Sequence, residues 1–163
     1  MSDTHHFRFV YQNVDGELGE RILEFWTTHK ALPANVNSRH RLDEIVVVAE
    51  CDDRVIGVST VVPLHYPRLK LRLFNFRCFV DPDYRRDKVA AEMLNLTYES
   101  LNQRFSEGTD PSVVGLMAVA QNPGLRLQHN HAVWPNTGLV FIGYDANGFP
   151  MRLKYFDEAR IET

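Results

Sequence analysis

A mixed α/β domain is the fold class this sequence predicts, and three observations carry it. Residues 44–50, 54–62 and 70–80 are extended, apolar-rich runs of the kind that form strands, parted by turn residues or prolines. Leu18, Ile22, Phe25, Trp26 and His29 recur at three- and four-residue steps, and so do Ala90, Met93 or Leu94, Thr97, Leu101 and Phe105, which marks two helices with one buried face each. The elements also follow an irregular order: strand, helix, three strands, long helix, strand, helix, two strands. A regularly alternating fold is therefore not expected.

In chain order, residues 7–11 form a short opening strand ended by Asp15-Gly16, and Pro33 closes the first helix. Residues 34–41 are polar and mixed, a loop able to shape a groove. Glu44 starts the strand 44–50, and Asp52-Asp53 turns the chain into 54–62, an antiparallel hairpin. Gly57 marks a bulge or a close backbone approach. Residues 64–69, with His65 and Pro67 and with Pro63 just before them, read as a loop. In 70–80, Phe74, Phe76, Cys78 and Val80 alternate with Asn75, Arg77 and Phe79. Asp81-Pro82-Asp83 stops that strand, because proline removes a ladder donor, and Asp83 is the candidate cap of the long helix. Residues 107–111 break that helix. The nearly all-apolar run 112–120 is expected to be a central strand covered on both faces. Asn122-Pro123 opens a short helix to about Val133, and Asn147-Gly148 signals the turn of a final hairpin, 139–144 with 150–156.

Composition bounds the function. At 163 residues the chain fits one domain, 1–163, with a core of its own. A net charge of -3 gives no general affinity for nucleic acid. No apolar run approaches the ~20 residues that cross a bilayer, and residues 1–6 lack the apolar middle of a secretion signal. The two cysteines, Cys51 and Cys78, each near a strand end, read as buried reduced thiols, and a cytoplasmic protein is expected. His129 and His131 are two apart on the short helix expected there, whereas helical metal pairs sit three or four apart, so no metal site is expected.

The informative stretch is 78–94, a strand, a turn and a helix start. First-turn amides point outward unpaired there and the helix dipole adds positive potential, with Arg85 and Arg86 at the same turn. Two readings stay open: a phosphate cradle reinforced by guanidinium groups, or a capped helix with two solvated arginines. General-base candidates are Glu44, ranked first, then Glu50, Asp81 and His65. No phosphate-loop glycine motif, nucleophile elbow or zinc spacing is present.

The element order, and the run Val80-Asp81-Pro82-Asp83-Tyr84-Arg85 followed by Arg86, Asp87, Lys88, Val89 and Ala90, resemble the GNAT superfamily of acyl-coenzyme A dependent N-acyltransferases. That family ends its fourth strand in a Val-x-Pro-like segment followed by Arg-x-x-Gly-x-Gly/Ala. The run from Val133 to Tyr144 is similar to the family's final Tyr-x-x-x-Gly-Phe segment. Lys88 stands in place of the first loop glycine, and Trp134 in place of the tyrosine that often protonates the leaving thiolate. The resemblance implies a mostly antiparallel central sheet with splayed fourth and fifth strands, flanked by helices. It implies an N-acyltransferase using acetyl-CoA or another acyl-CoA on an amine of a small molecule or protein. The alternative it leaves is a catalytically inactive module holding acyl-CoA or a partner protein. By the same resemblance Phe79 and Val80 contact pantetheine through their backbone. Arg85, Arg86, Asp87, Lys88, Val89 and Ala90 surround the pyrophosphate, and Asn122 lies near the cofactor. The final hairpin leaves an edge that would admit a second copy of the chain, a homodimer.

Overall fold

In a computed structural model, which describes residues 4–85, 88–121 and 130–162, seven strands are hydrogen-bonded in the order β1-β2-β3-β4-β5-β7-β6. They are β1 His5–Phe9, β2 Ile45–Cys51, β3 Arg54–Tyr66, β4 Leu71–Val80, β5 Val113–Val119, β6 Val140–Tyr144 and β7 Pro150–Tyr155. Helices α1 Gly16–His29, α2 Ser38–Arg41 and α3 Val89–Ser106 accompany them. β1 with β2, β2 with β3, β5 with β7 and β6 with β7 pair antiparallel, while β4 and β5 pair parallel. The mostly antiparallel mixed sheet is thus the one expected. The chain divides into two compact units, Met1–Val61 with Cys78–Thr97, and Val62–Arg77 with Tyr98–Thr163.

In the first unit, α1 buries the stripe that its sequence spacing specifies. Leu18, Ile22, Phe25 and Trp26 pack with Val10, Ile45, Val48 and Val58. Each such large apolar side chain contributes about 1.5–3 kcal/mol on burial. The Asp15 carboxylate caps the helix by accepting the Leu18 N–H at 2.7 Å. Lys30, in a left-handed conformation at φ 50°, ends it. β2 is buried on both faces from Ile45 to Ala49. Its register with β3 slips by one residue between Ala49↔Gly57 and Glu50↔Val55, a bulge. Gly57 serves a close approach as well. A Cβ there would lie 2.9 Å from Met93 Sδ and 3.4 Å from Val89 Cγ1, so the first turns of α3 press directly onto β3.

In the second unit, Leu73, Val114, Met117 and Leu153 form one core cluster. Phe156 gathers a second, with ring centroids 6.3 Å from Phe74, 5.7 Å from Tyr98 and 5.4 Å from Phe105. β5 is buried along its first six residues, as its unbroken apolar run requires. The final hairpin turns where Asn147-Gly148 places it. Asp145 Oδ1 accepts the amides of Asn147 and Phe149, both at 2.9 Å, and Gly148 takes φ 82°.

Four expectations need correction. β3 runs on to Tyr66 through the stretch read as a loop, so His65 is an exposed strand residue. β2 begins at Ile45, whose partner is Thr60, so β3 beyond that point has lost its β2 neighbour and Pro63 can be accommodated. The 34–41 loop contains α2, capped by Asn37, whose side chain accepts the amides of Arg39 and His40. A 3-10 turn, Leu42–Glu44, follows it. Asp83 does not cap the long helix. Asp81 caps a separate 3-10 turn, Pro82–Tyr84, and α3 starts only at Val89. Cys51 is buried but Cys78 is exposed. Arg77 beside it is exposed too, so neither face of β4 is covered at that step. The helix expected from Asn122 falls on 122–129, outside the described residues.

Candidate active site

The β4–β5 register ends at Phe76↔Ala118, yet β4 continues to Val80. This is the splay expected of the fourth and fifth strands. Beyond it, the chain is held tightly. The Asp81 amide donates to the Ile56 carbonyl at 2.7 Å, and the Tyr84 amide donates to the Asp81 carbonyl at 2.9 Å. The buried Asp81 carboxylate accepts the Asp83 amide at 2.9 Å. With Pro82 at the first position of the turn, the 3-10 geometry is locally specified.

The Phe79 ring lies among Phe25 at 5.9 Å, His29 at 5.8 Å and the Arg85 guanidinium at 5.3 Å. Arg85 Nε donates to the Val80 carbonyl at 3.1 Å. That bond uses one lone pair of a carbonyl expected to meet pantetheine and ties back an arginine expected to meet pyrophosphate. Among the described residues, none accepts from the four N–H groups on the guanidinium nitrogens Nη1 and Nη2, which can meet an anion.

Lys88 is the informative residue of the turn. Its φ is 60°, the left-handed conformation that the motif's glycine would supply, and its side chain is exposed. Its carbonyl accepts the Glu92 amide at 3.1 Å, the first bond of α3. Val89 is fully buried and anchors the helix start, while Ala90 is exposed. Among the described residues, none accepts a hydrogen bond from the amides of Val89, Ala90 or Ala91. Arg86, Asp87 and Asn122 lie outside the described residues.

The candidate proton acceptors stand in different places. Glu44 ends the 3-10 turn before β2, and its Oε2 lies 3.3 Å from Arg41 Nε, one turn earlier. To take a proton it must give up that pair. Glu50 is clasped by two arginines: Arg8 Nε at 2.7 Å and Arg21 Nη2 at 2.8 Å. Burial pushes its carboxyl up, but the hydrogen bonds from Arg21 and Arg8 and their charges outweigh burial and hold it below its ordinary value of 4.5. The site has one group that the sequence reading left in the core, His29. Its Nε2 lies 3.5 Å from Asp81 Oδ2. The signal was a lone histidine at the end of an aromatic helix face, but nothing in the sequence connects it to Asp81.

The Glu50 clasp carries a stability prediction. A carboxyl whose folded pKa is depressed stabilises the fold above its unfolded pKa and loses that contribution as pH falls through the folded value. Glu50→Gln should cost about 1–2 kcal/mol at neutral pH, the half-exposed Arg8 limiting the effect. Urea unfolding should show the gap to wild type closing as pH falls below 4.5. Equal midpoints at pH 7 would remove this pair from the account.

In the second unit, Trp134 offers its ring to the buried Arg152 guanidinium, 4.6 Å from the ring centroid. An indole N–H is no proton source for a thiolate in any case. Among the described residues no group of three or more His, Cys, Asp or Glu is placed to hold a metal ion. Nor is any helix among them long and apolar enough to cross a membrane.

No family model matches the chain, and no curated protein matches it in sequence. Solved structures do match in three dimensions. The ribosomal-protein-S18-alanine N-acetyltransferase from Escherichia coli aligns at TM-score 0.59 and 11% identity, over 98% of this chain and 99% of its own. The ribosomal-protein-S5-alanine acetyltransferase from Vibrio fischeri aligns at TM-score 0.58 and 12% identity, over 99% and 98%. A GNAT family acetyltransferase from Brucella melitensis, in complex with acetyl-CoA, aligns at TM-score 0.54 and 14% identity, over 99% and 94%. The chain therefore has the GNAT fold over nearly its whole length.

Proposed function

We propose that this protein is an acyl-CoA dependent N-acyltransferase, transferring an acetyl or related short acyl group to an amine of a small molecule or protein. The observation that carries the reading is Lys88. It keeps a glycine's backbone conformation at the start of α3, with its side chain in solvent. The main chain of Lys88, Val89 and Ala90 can then meet a diphosphate as a glycine loop would. Arg85 adds charge-assisted contacts from the Nη groups it has to spare. Phe79 and Val80, past the last β4–β5 pair, are the segment along which pantetheine would lie. The reaction asks little more than alignment of the amine with the thioester, which can lower the barrier by about 7–11 kcal/mol in well-oriented systems. The solved GNAT neighbour bound to acetyl-CoA supports the choice of co-substrate.

Acetyl-CoA at about 100 times its dissociation constant should stabilise the native state by about 2.7 kcal/mol. For a chain of this size that corresponds to a Tm rise of about 5–10 °C. No shift at millimolar acetyl-CoA or any other short acyl-CoA would defeat the reading. A second reading is an acyl-CoA or partner-binding module without turnover. It is favoured by Trp134, which holds Arg152 where a proton-donating tyrosine would otherwise stand. Binding with no transfer to any member of a broad amine panel would select it.

A further inference from the structure

We propose that His29, oriented by Asp81, is the group that takes the proton from the acceptor amine. This rests on the acyltransferase reading and adds to it a residue from α1. Three of the four acceptors legible in the sequence are compromised. Glu44 is ion-paired with Arg41, though its buried Oε2 makes no hydrogen bond, Glu50 is clasped by Arg8 and Arg21, and the Asp81 side chain is only 5% exposed. The fourth, His65, is exposed on the half of β3 past its β2 pairing, with no hydrogen bond or ion pair to orient it among the described residues.

His29 has the complementary properties. Its side chain is 22% exposed, enough to meet a substrate, while one nitrogen faces a buried carboxylate at 3.5 Å. An imidazole that turns its Nε2–H toward Asp81 carries its lone pair on Nδ1. The ring is held by Phe25, 4.8 Å away, and by Phe79, the β4 residue expected to meet pantetheine. The base and the pantetheine arm would therefore share one neighbour. Asp81 is fixed in turn by the Asp83 amide on its other oxygen, so the carboxylate cannot swing away. The charged groups facing His29 from β4 and the turn after it are Asp81 and, across the Phe79 ring, Arg85.

The step balances without a further reagent. The acceptor ammonium gives one proton to Nδ1 and becomes a free amine. Its lone pair attacks the thioester carbonyl carbon and forms the C–N bond. The C–S bond then breaks with its electron pair leaving on sulfur. The excess proton on the new amide nitrogen passes to that thiolate through water, and His29 returns its own proton to solvent.

The test uses the full chain, acetyl-CoA and a panel of a polyamine, an aminoglycoside and a peptide with a free N-terminal alanine. His29→Asn should lower kcat by about 10²–10⁴-fold and abolish the acidic limb of the pH–rate profile. Acetyl-CoA affinity by calorimetry should stay unchanged. Asp81→Asn keeps an acceptor for the Asp83 amide, so it should fold, and it should lower kcat with KM for acetyl-CoA little altered. Added imidazole should restore part of the activity of His29→Gly. Unchanged kcat and an unchanged acidic limb in His29→Asn would overturn the assignment while leaving the transferase standing. Wild-type protein that transfers to no amine would overturn both.

Discussion

Gly115→Ala is expected to lower the unfolding free energy by about 3 kcal/mol, the upper end of what overpacking costs. The reason is backbone meeting backbone. A Cβ on Gly115 would stand 2.7 Å from the Lys154 carbonyl oxygen and 3.0 Å from Tyr155 Cα. Gly115 pairs directly with Tyr155, so β7 cannot yield without straining its ladder with β5. The two nearest atoms are backbone, so a shift of the Leu73 Cδ2 tip, 3.3 Å away, brings no relief, whereas the nearest atom opposite Gly57 is the flexible Met93 Sδ. A domain of this length holds about 5–15 kcal/mol in total. The alanine variant should therefore still fold, with a clearly lower urea midpoint, and Gly115→Val should not fold. An unchanged midpoint for Gly115→Ala would show that β5 and β7 are not this close.

Lys88→Pro should abolish acyl-CoA binding within reach of calorimetry, a loss of at least about 100-fold. The deleted Lys88 N–H and the Val89 N–H displaced with the turn, charge-assisted bonds of about 1.5–3 kcal/mol each, account for that factor. Proline fixes φ near −65°, where the turn needs 60°, and deletes the N–H that the diphosphate would meet. Lys88→Gly separates main chain from side chain. It removes a left-handed strain of about 1–2 kcal/mol. It adds glycine's unfolded-state entropy of about 0.5–1 kcal/mol, so stability should hold or rise slightly. Its acetyl-CoA affinity should match wild type. A tenfold loss in Lys88→Gly would assign the phosphate contact to the lysine ammonium and not to the backbone.

These residues also show how far the sequence could be read. Periodicity was enough for α1, β2 and β5, because their buried faces are written in local sequence: Leu18, Ile22, Phe25 and Trp26 at helical spacing in one case, an unbroken apolar run in the others. Asn147-Gly148 specified its turn for the same local reason. Prolines misled where their cost was relieved at long range, as at Pro63, which lies past the end of β2. Arg41–Glu44 is an i, i+3 pair, visible only once 42–44 is known to be a helical turn. The left-handed Lys88 contradicts its own residue type, so the resemblance located the loop while side-chain chemistry argued against it. His29 and Asp81 come from α1 and the end of β4, and only the fold brings them together.

The central claim is that the main chain at the start of α3 receives a diphosphate. Amide chemical shifts during an acetyl-CoA titration test it most directly. The account predicts the largest perturbations at Lys88, Val89 and Ala90, with a second group at Phe79 and Val80, and the same pattern in Lys88→Gly. Saturable binding that leaves the amides of 88–90 unmoved would contradict it.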